Sequence, residues 1–127
     1  MKLKYLFIAQ FIIGLVNGVG ALVMPAVFAS LYGFAGALSP GGLVFAQVAG
    51  AAFLGHAITA WFARNAEDSV ARRAIVLGFG MHGAVGGLVV ILALLSGVMG
   101  PMGWVAVLLY LGLALAYGYC AWKPESV

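Results

Sequence analysis

Trp61-Phe62-Ala63-Arg64-Asn65-Ala66-Glu67-Asp68-Ser69-Val70-Ala71-Arg72-Arg73 is the stretch on which the fold turns. It carries three of the six basic residues in the chain and two of the three acidic ones. On either side lies an apolar run long enough to cross a bilayer, for which roughly 20 residues suffice. A short charged island between two such runs reads as a loop at a membrane surface.

Four apolar stretches qualify as spans: residues 5–24, 40–62, 73–96 and 101–122. The first stops at Pro25. The second opens at Ser39-Pro40, an N-cap followed by proline at the first helical position. The fourth opens at Gly100-Pro101 and has Pro124 just beyond its end. Lipid offers the backbone no hydrogen-bonding partner, so each span is expected to be a helix. Lys2 and Lys4 before an apolar run also resemble the start of a secretory signal, but this run has the length of a full span.

Composition points the same way. Of 127 residues, 65% are hydrophobic and 7% charged, with a mean hydropathy of +1.17. Soluble domains carry about 25% charged residues. The expected fold is therefore all-α, a single-domain four-transmembrane-helix bundle whose first partner is the lipid bilayer. A net charge of +3 is too sparse for a phosphate-binding face, so no nucleic-acid partner is expected. The lone Cys120 excludes an internal disulfide and any paired-cysteine metal or redox site.

The basic residues set orientation instead. Lys2, Lys4, Arg64, Arg72, Arg73 and Lys123 all fall at the termini or in the loop between spans two and three. The connections at residues 26–38 and 97–100 contain no charge. The positive-inside rule then places the N-terminus, the C-terminus and the Arg64–Arg73 loop in the cytoplasm. Tyr5, Trp61 and Trp122 would mark the inner interface, and Phe28, Tyr32 and Trp104 the outer one.

The two halves of the chain share a pattern. Ser39-Pro40-Gly41-Gly42 and Gly100-Pro101-Met102-Gly103 open spans two and four alike, and Trp61 and Trp122 close them at equal distance. Asn17-Gly18 in span one matches His82-Gly83 in span three. This is the pattern of a duplicated helical hairpin with both copies in one orientation. Apolar, glycine-rich helices also resemble one another by composition alone.

Helices in lipid associate through small residues that let backbones approach. Gly14 with Gly18, Ala46 with Gly50, Gly83 with Gly87, and Gly112 with Ala116 each put two small residues on one helical face. These positions are expected to pack helices within the bundle, or to receive another subunit or a flat cofactor.

No carboxylate, lysine or arginine falls within the apolar interior of a span, which disfavours embedded hydrolysis, carboxylate metal sites and ion-coupled transport. No catalytic residue and no metal ligand set is identified, and the chain is expected not to be an enzyme. The polar groups at depth are Gln10, Asn17, Gln47, Thr59, Tyr117, His56 and His82. The histidines lie roughly 12 and 13 Å from the charged boundary at 1.5 Å per residue, at one level on consecutive antiparallel helices. Paired histidines of this kind can hold haem as axial ligands. Ala52 and Gly78, four residues before each, resemble the small-residue-and-histidine element of bacteriochlorophyll-binding antenna polypeptides. Neutral imidazoles bonded to neighbours such as Tyr117, Thr59 or a backbone carbonyl are the simpler reading, under which the chain needs no cofactor.

Further elements run nearly end to end: Pro25 with Leu31-Tyr32-Gly33, Gly50-Ala51-Ala52, Ala60-Trp61-Phe62-Ala63-Arg64-Asn65, Arg72-Arg73-Ala74-Ile75-Val76, and Ser96-Gly97 through Gly103-Trp104. On these the chain resembles a group of small, uncharacterised bacterial four-helix membrane proteins of the domain-of-unknown-function kind. The resemblance implies a bacterial inner membrane and transfers no catalytic residue. In that group the positions of His56 and His82 are often apolar. Three functions follow as expectations: an accessory or structural subunit of a larger respiratory or photosynthetic complex, with other membrane-protein subunits as partners; a tetrapyrrole carrier; or, more remotely, a small-solute channel or transporter.

Overall fold

Pro25 decides where the first long helix ends. It has no N–H to continue the ladder but suits the first turn of a new helix. The chain bends at Met24 and a short helix starts on Pro25 itself. The computed structural model describes residues 2–34 and 38–122. Over these the protein is all-helical: α1 Leu3–Val23, α2 Pro25–Leu31, α3 Pro40–Ala63, α4 Val70–Leu95 and α5 Gly103–Trp122. The four long helices are each long and apolar enough to cross a membrane. Helix α2 falls in the stretch expected to be a simple connection.

Local chemistry explains the boundaries. Ser39 Oγ accepts the Gly42 N–H at 3.1 Å with Pro40 at the first helical position, as its sequence predicts. Ser69 Oγ likewise accepts the Arg72 N–H at 3.1 Å. That cap starts α4 at Val70, nearly a turn before the expected residue 73, and draws Arg72 and Arg73 into the helix. At the other end, turn bonds from Gly103 N–H to Gly100 and from Trp104 N–H to Pro101 delay α5 to Gly103. Lys123, Pro124 and Glu125 lie outside the described residues.

The bundle is two hairpins. Helix α1 packs closely along α3, and α4 along α5, while the two pairs touch each other only locally. Both hairpins use the same packing device. A Cβ on Gly14 would lie 2.9 Å from the Phe53 carbonyl oxygen and 3.1 Å from Ala57 Cβ. One on Gly83 would lie 2.6 Å from the Tyr110 carbonyl oxygen and 3.1 Å from Ala114 Cβ. One turn on, Gly18 meets Leu54 as Gly87 meets Leu111. Gly14 therefore corresponds to Gly83 and Phe53 to Tyr110. This is one helical turn away from the match of Asn17-Gly18 with His82-Gly83, because packing follows the glycine pairs rather than the loop motifs.

The hairpins are clasped at both ends. Near the charged loop, Leu3, Leu6 and Phe7 of α1 enter a buried cluster with Val76 and Phe79 of α4 and Tyr117 and Cys120 of α5. The Phe7, Phe79 and Tyr117 rings stand 5.5–6.2 Å apart. At the uncharged end the Gly100 N–H donates to the Tyr32 carbonyl at 2.9 Å. A Cβ on Gly33, whose φ is +65°, would sit 2.8 Å from Gly100 Cα, so only glycine fits. Between these clasps the hairpins leave a small space of about 40 Å³ and a wider recess open to the outside. Along the spans the bundle's outer surface is largely apolar: Phe45 is 78% exposed and Leu115 75%. Such a surface is suited to lipid and not to water.

Candidate functional site

Helix α1 places Gln10, Gly14 and Asn17 on one inward face, at three- and four-residue spacing. Close approach at Gly14 brings this face against α3, and the separation of the hairpins leaves it open towards α4 and α5. The result is a cavity in two connected compartments. The smaller, of about 40 Å³, lies between the hairpins and is lined by Gln10, Asn17, Tyr32, His82 and Tyr110 among apolar neighbours. The larger, of about 410 Å³, lies towards the uncharged end and is mostly aromatic and aliphatic. Asn17, Tyr32, Phe53, Ala106 and Tyr110 line both compartments.

The polar groups here are sparingly satisfied. Asn17 Nδ2 donates back to the Ile13 carbonyl at 2.8 Å, and its Oδ1 accepts from Tyr32 Oη at 3.3 Å. Burial pushes the Tyr32 phenol above its ordinary value, which keeps it a neutral donor. Gln10 is 5% exposed, and no hydrogen bond reaches its amide from the described residues. Tyr110 Oη has none either. His56 Nδ1 and His82 Nε2 are enclosed without a partner.

The histidines do meet. His56 on α3 and His82 on α4 stand edge to face, with ring centroids 4.7 Å apart and planes at 71°. Phe79 flanks His56 at 5.5 Å, and Phe53 and Tyr110 flank His82 at 6.0 and 5.6 Å. Axial ligands must stand on opposite faces of a macrocycle, and two rings in direct contact leave no layer between them. This arrangement does not fit a haem held by both. Neither Tyr117 nor Thr59 is their hydrogen-bond partner: Tyr117 Oη donates to the Leu6 carbonyl at 3.5 Å and Thr59 Oγ1 to Gly55 at 2.9 Å.

The glycines divide into two sets. Gly14, Gly18, Gly50, Gly83 and Gly87 all sit at helix crossings inside a hairpin. Gly112 does not, because a Cβ there would meet nothing within 4 Å, and the same holds for Gly55, Gly78 and Gly118. At the charged end, Arg64 lies over the Trp61 ring, 3.4 Å from its centroid, and its Nη1 donates to the Trp61 carbonyl. Arg72 is buried to 9% exposure, its Nε has no partner among the described residues, and Arg73 faces outward.

Tyr32 and Tyr110 are the cavity residues that the sequence reading missed. Tyr32 reads as an interfacial aromatic and Tyr110 as one apolar residue among many. The seven-residue spacing of Gln10 and Asn17 around Gly14 is the signal that marks the face they join. No protein-family model, curated protein or solved structure matches this chain.

Proposed function

We infer that the protein is a non-enzymatic accessory subunit of a larger assembly in the bacterial inner membrane, of the respiratory or photosynthetic kind, with both termini cytoplasmic. The observation that carries this is a groove of about 500 Å³ on the lipid-facing side of the second hairpin, floored by Gly80, Ala84, Ala114 and Gly118. Leu77, Met81 and Leu115 form its rims. Small residues at such a surface let a neighbouring helix approach closely, which is the main source of helix association in lipid.

Helix energetics support the same reading. Glycine inside a helix costs about 0.5–1 kcal/mol relative to alanine. Gly55, Gly78, Gly112 and Gly118 bring no close packing among the described residues that would offset this. A neighbouring helix seated on these faces supplies the missing return.

The test is site-specific crosslinking in intact membranes. A photoreactive residue at position 118 should join the chain to another membrane protein, and one at the lipid-facing Phe62 should not. Equal or absent crosslinking at both positions would count against the reading. Gly118→Leu, whose Cβ would meet nothing within 4 Å among the described residues, should abolish the crosslinked assembly and leave the isolated chain folded.

A further inference from the structure

The cavity between the hairpins is a different feature from the outer groove and has its own chemistry. It contains no charged side chain, yet it gathers neutral donors and acceptors: the Gln10 amide, the Asn17–Tyr32 pair, Tyr110 Oη and His82. A buried amide with no partner is costly, more so in a membrane interior where water cannot compete for it. Gln10 lines the cavity at 5% residue exposure, and no described residue hydrogen-bonds its amide, so it is the first polar group here left for a ligand. The enclosed, unpartnered Nε2 of His82 is a second.

The fold provides its own control for these residues. Under the correspondence fixed by the glycine crossings, Gln10 matches Phe79, His82 matches Ile13 and Tyr110 matches Phe53. Each polar residue thus occupies a position that the other hairpin fills with an apolar one. Packing of the hairpin does not require polarity there, so the polar set needs another explanation, and a ligand supplies one.

Size and shape restrict that ligand. The compartment of about 40 Å³ beside Gln10 and His82 admits a carbonyl or hydroxyl oxygen rather than a phosphate or a sugar. The adjoining space of about 410 Å³ falls in the range of small-molecule sites and is too apolar to be held open by water. Phe28, Phe53 and Tyr110 give it flat walls, and its mouth opens at the exposed Phe45. The absence of charge among its lining residues disfavours an anionic head group.

We propose that this cavity binds a neutral lipid whose head is a flat ring bearing carbonyl oxygens, of the isoprenoid-quinone type. The ring lies in the wider compartment against Phe53 and Tyr110, one oxygen points into the smaller compartment and accepts from the Gln10 amide, and the tail leaves through the mouth of the wider one. Binding alone is assigned, with no redox step.

The test uses the full chain in phosphatidylcholine nanodiscs and a benzoquinone carrying a decyl tail as probe, with bound probe counted by native mass spectrometry. One quinone should bind saturably per chain, and decylbenzene, which lacks the oxygens, should not. Gln10→Leu and Tyr110→Phe should each weaken binding several-fold to about tenfold, the value of one lost hydrogen bond. Phe62→Leu on the lipid face should leave it unchanged. Gln10→Leu replaces an amide that no described residue bonds with an apolar group of similar size, so its melting temperature should equal or exceed that of the parent, which separates lost binding from lost folding. Non-saturable uptake, equal binding of decylbenzene, or unchanged affinity in both cavity variants would overturn the proposal. None of these outcomes depends on whether the chain also docks into a larger assembly.

Discussion

His56 and His82 stand in edge-to-face contact, ring centroids 4.7 Å apart, at the seam where the two hairpins face each other. His56 Nδ1 and His82 Nε2 are enclosed with no partner among the described residues, and the equivalent positions of the opposite hairpins hold Leu113 and Ile13. Contact between the rings joins α3 to α4 where few other residues do so.

Replacing either histidine with leucine should therefore cost little. His56→Leu and His82→Leu are expected to unfold within about 1 kcal/mol of the parent, since exchanging an unpaired polar group for an apolar one of similar size is close to neutral. Denaturant titration in mixed micelles measures this. A loss above about 2 kcal/mol would reveal a hydrogen bond that the unpaired geometry excludes. Neither variant should alter the visible spectrum of the purified protein, and a Soret band lost in either would restore the axial-ligand reading.

Gly83→Val should be damaging and Gly112→Val should not. The first forces a side chain to within 2.6 Å of the Tyr110 carbonyl oxygen, whereas the second enters open space. Overpacking of this kind costs about 1–3 kcal/mol, so the two variants should separate clearly in the same titration. Equal stability would contradict the crossing at Gly83.

Gly33→Ala and Gly97→Ala test the clasp at the uncharged end. Both positions have positive φ, +65° and +73°, which costs a non-glycine residue about 1–2 kcal/mol. Only Gly33 also faces a backbone, with Gly100 Cα 2.8 Å from the added Cβ. Gly33→Ala should be the more destabilising of the two, by thermal melting monitored on helix content.

Orientation can be read directly with reporters. A fluorescent protein active only in the cytoplasm should shine when fused at either terminus, and a phosphatase active only outside should work when inserted at Gly97. The reverse pattern would mean that Arg64, Arg72 and Arg73 do not direct insertion as the positive-inside rule requires.

The spans were legible because length and apolarity suffice to define them, and Ser39-Pro40 announced the start of α3 outright. Pro25 was legible only as a stop, since nothing local distinguishes a proline that ends a helix from one that opens the next. Helix rotation was hidden for a different reason. In an amphipathic soluble helix the polar face declares itself, whereas here lipid-facing and core-facing positions are equally apolar. Leu3 is 2% exposed and Leu115 75%, yet nothing in their neighbourhoods sets them apart. The glycines inherit the same ambiguity: Gly83 and Gly112 look alike in sequence and only one of them packs. Gln10 was visible as a polar residue at depth, but its cavity depends on Tyr32 and Tyr110, brought to it from other helices.

The most direct test of the accessory-subunit account is the mass of the native protein after mild solubilisation from its own membranes. The account predicts that the chain migrates well above the mass of a monomer or dimer, with other membrane proteins in stoichiometric amounts, and that Gly118→Leu releases it to low mass. A parent chain that runs alone as a folded monomer, with Gly118→Leu unchanged, would contradict it.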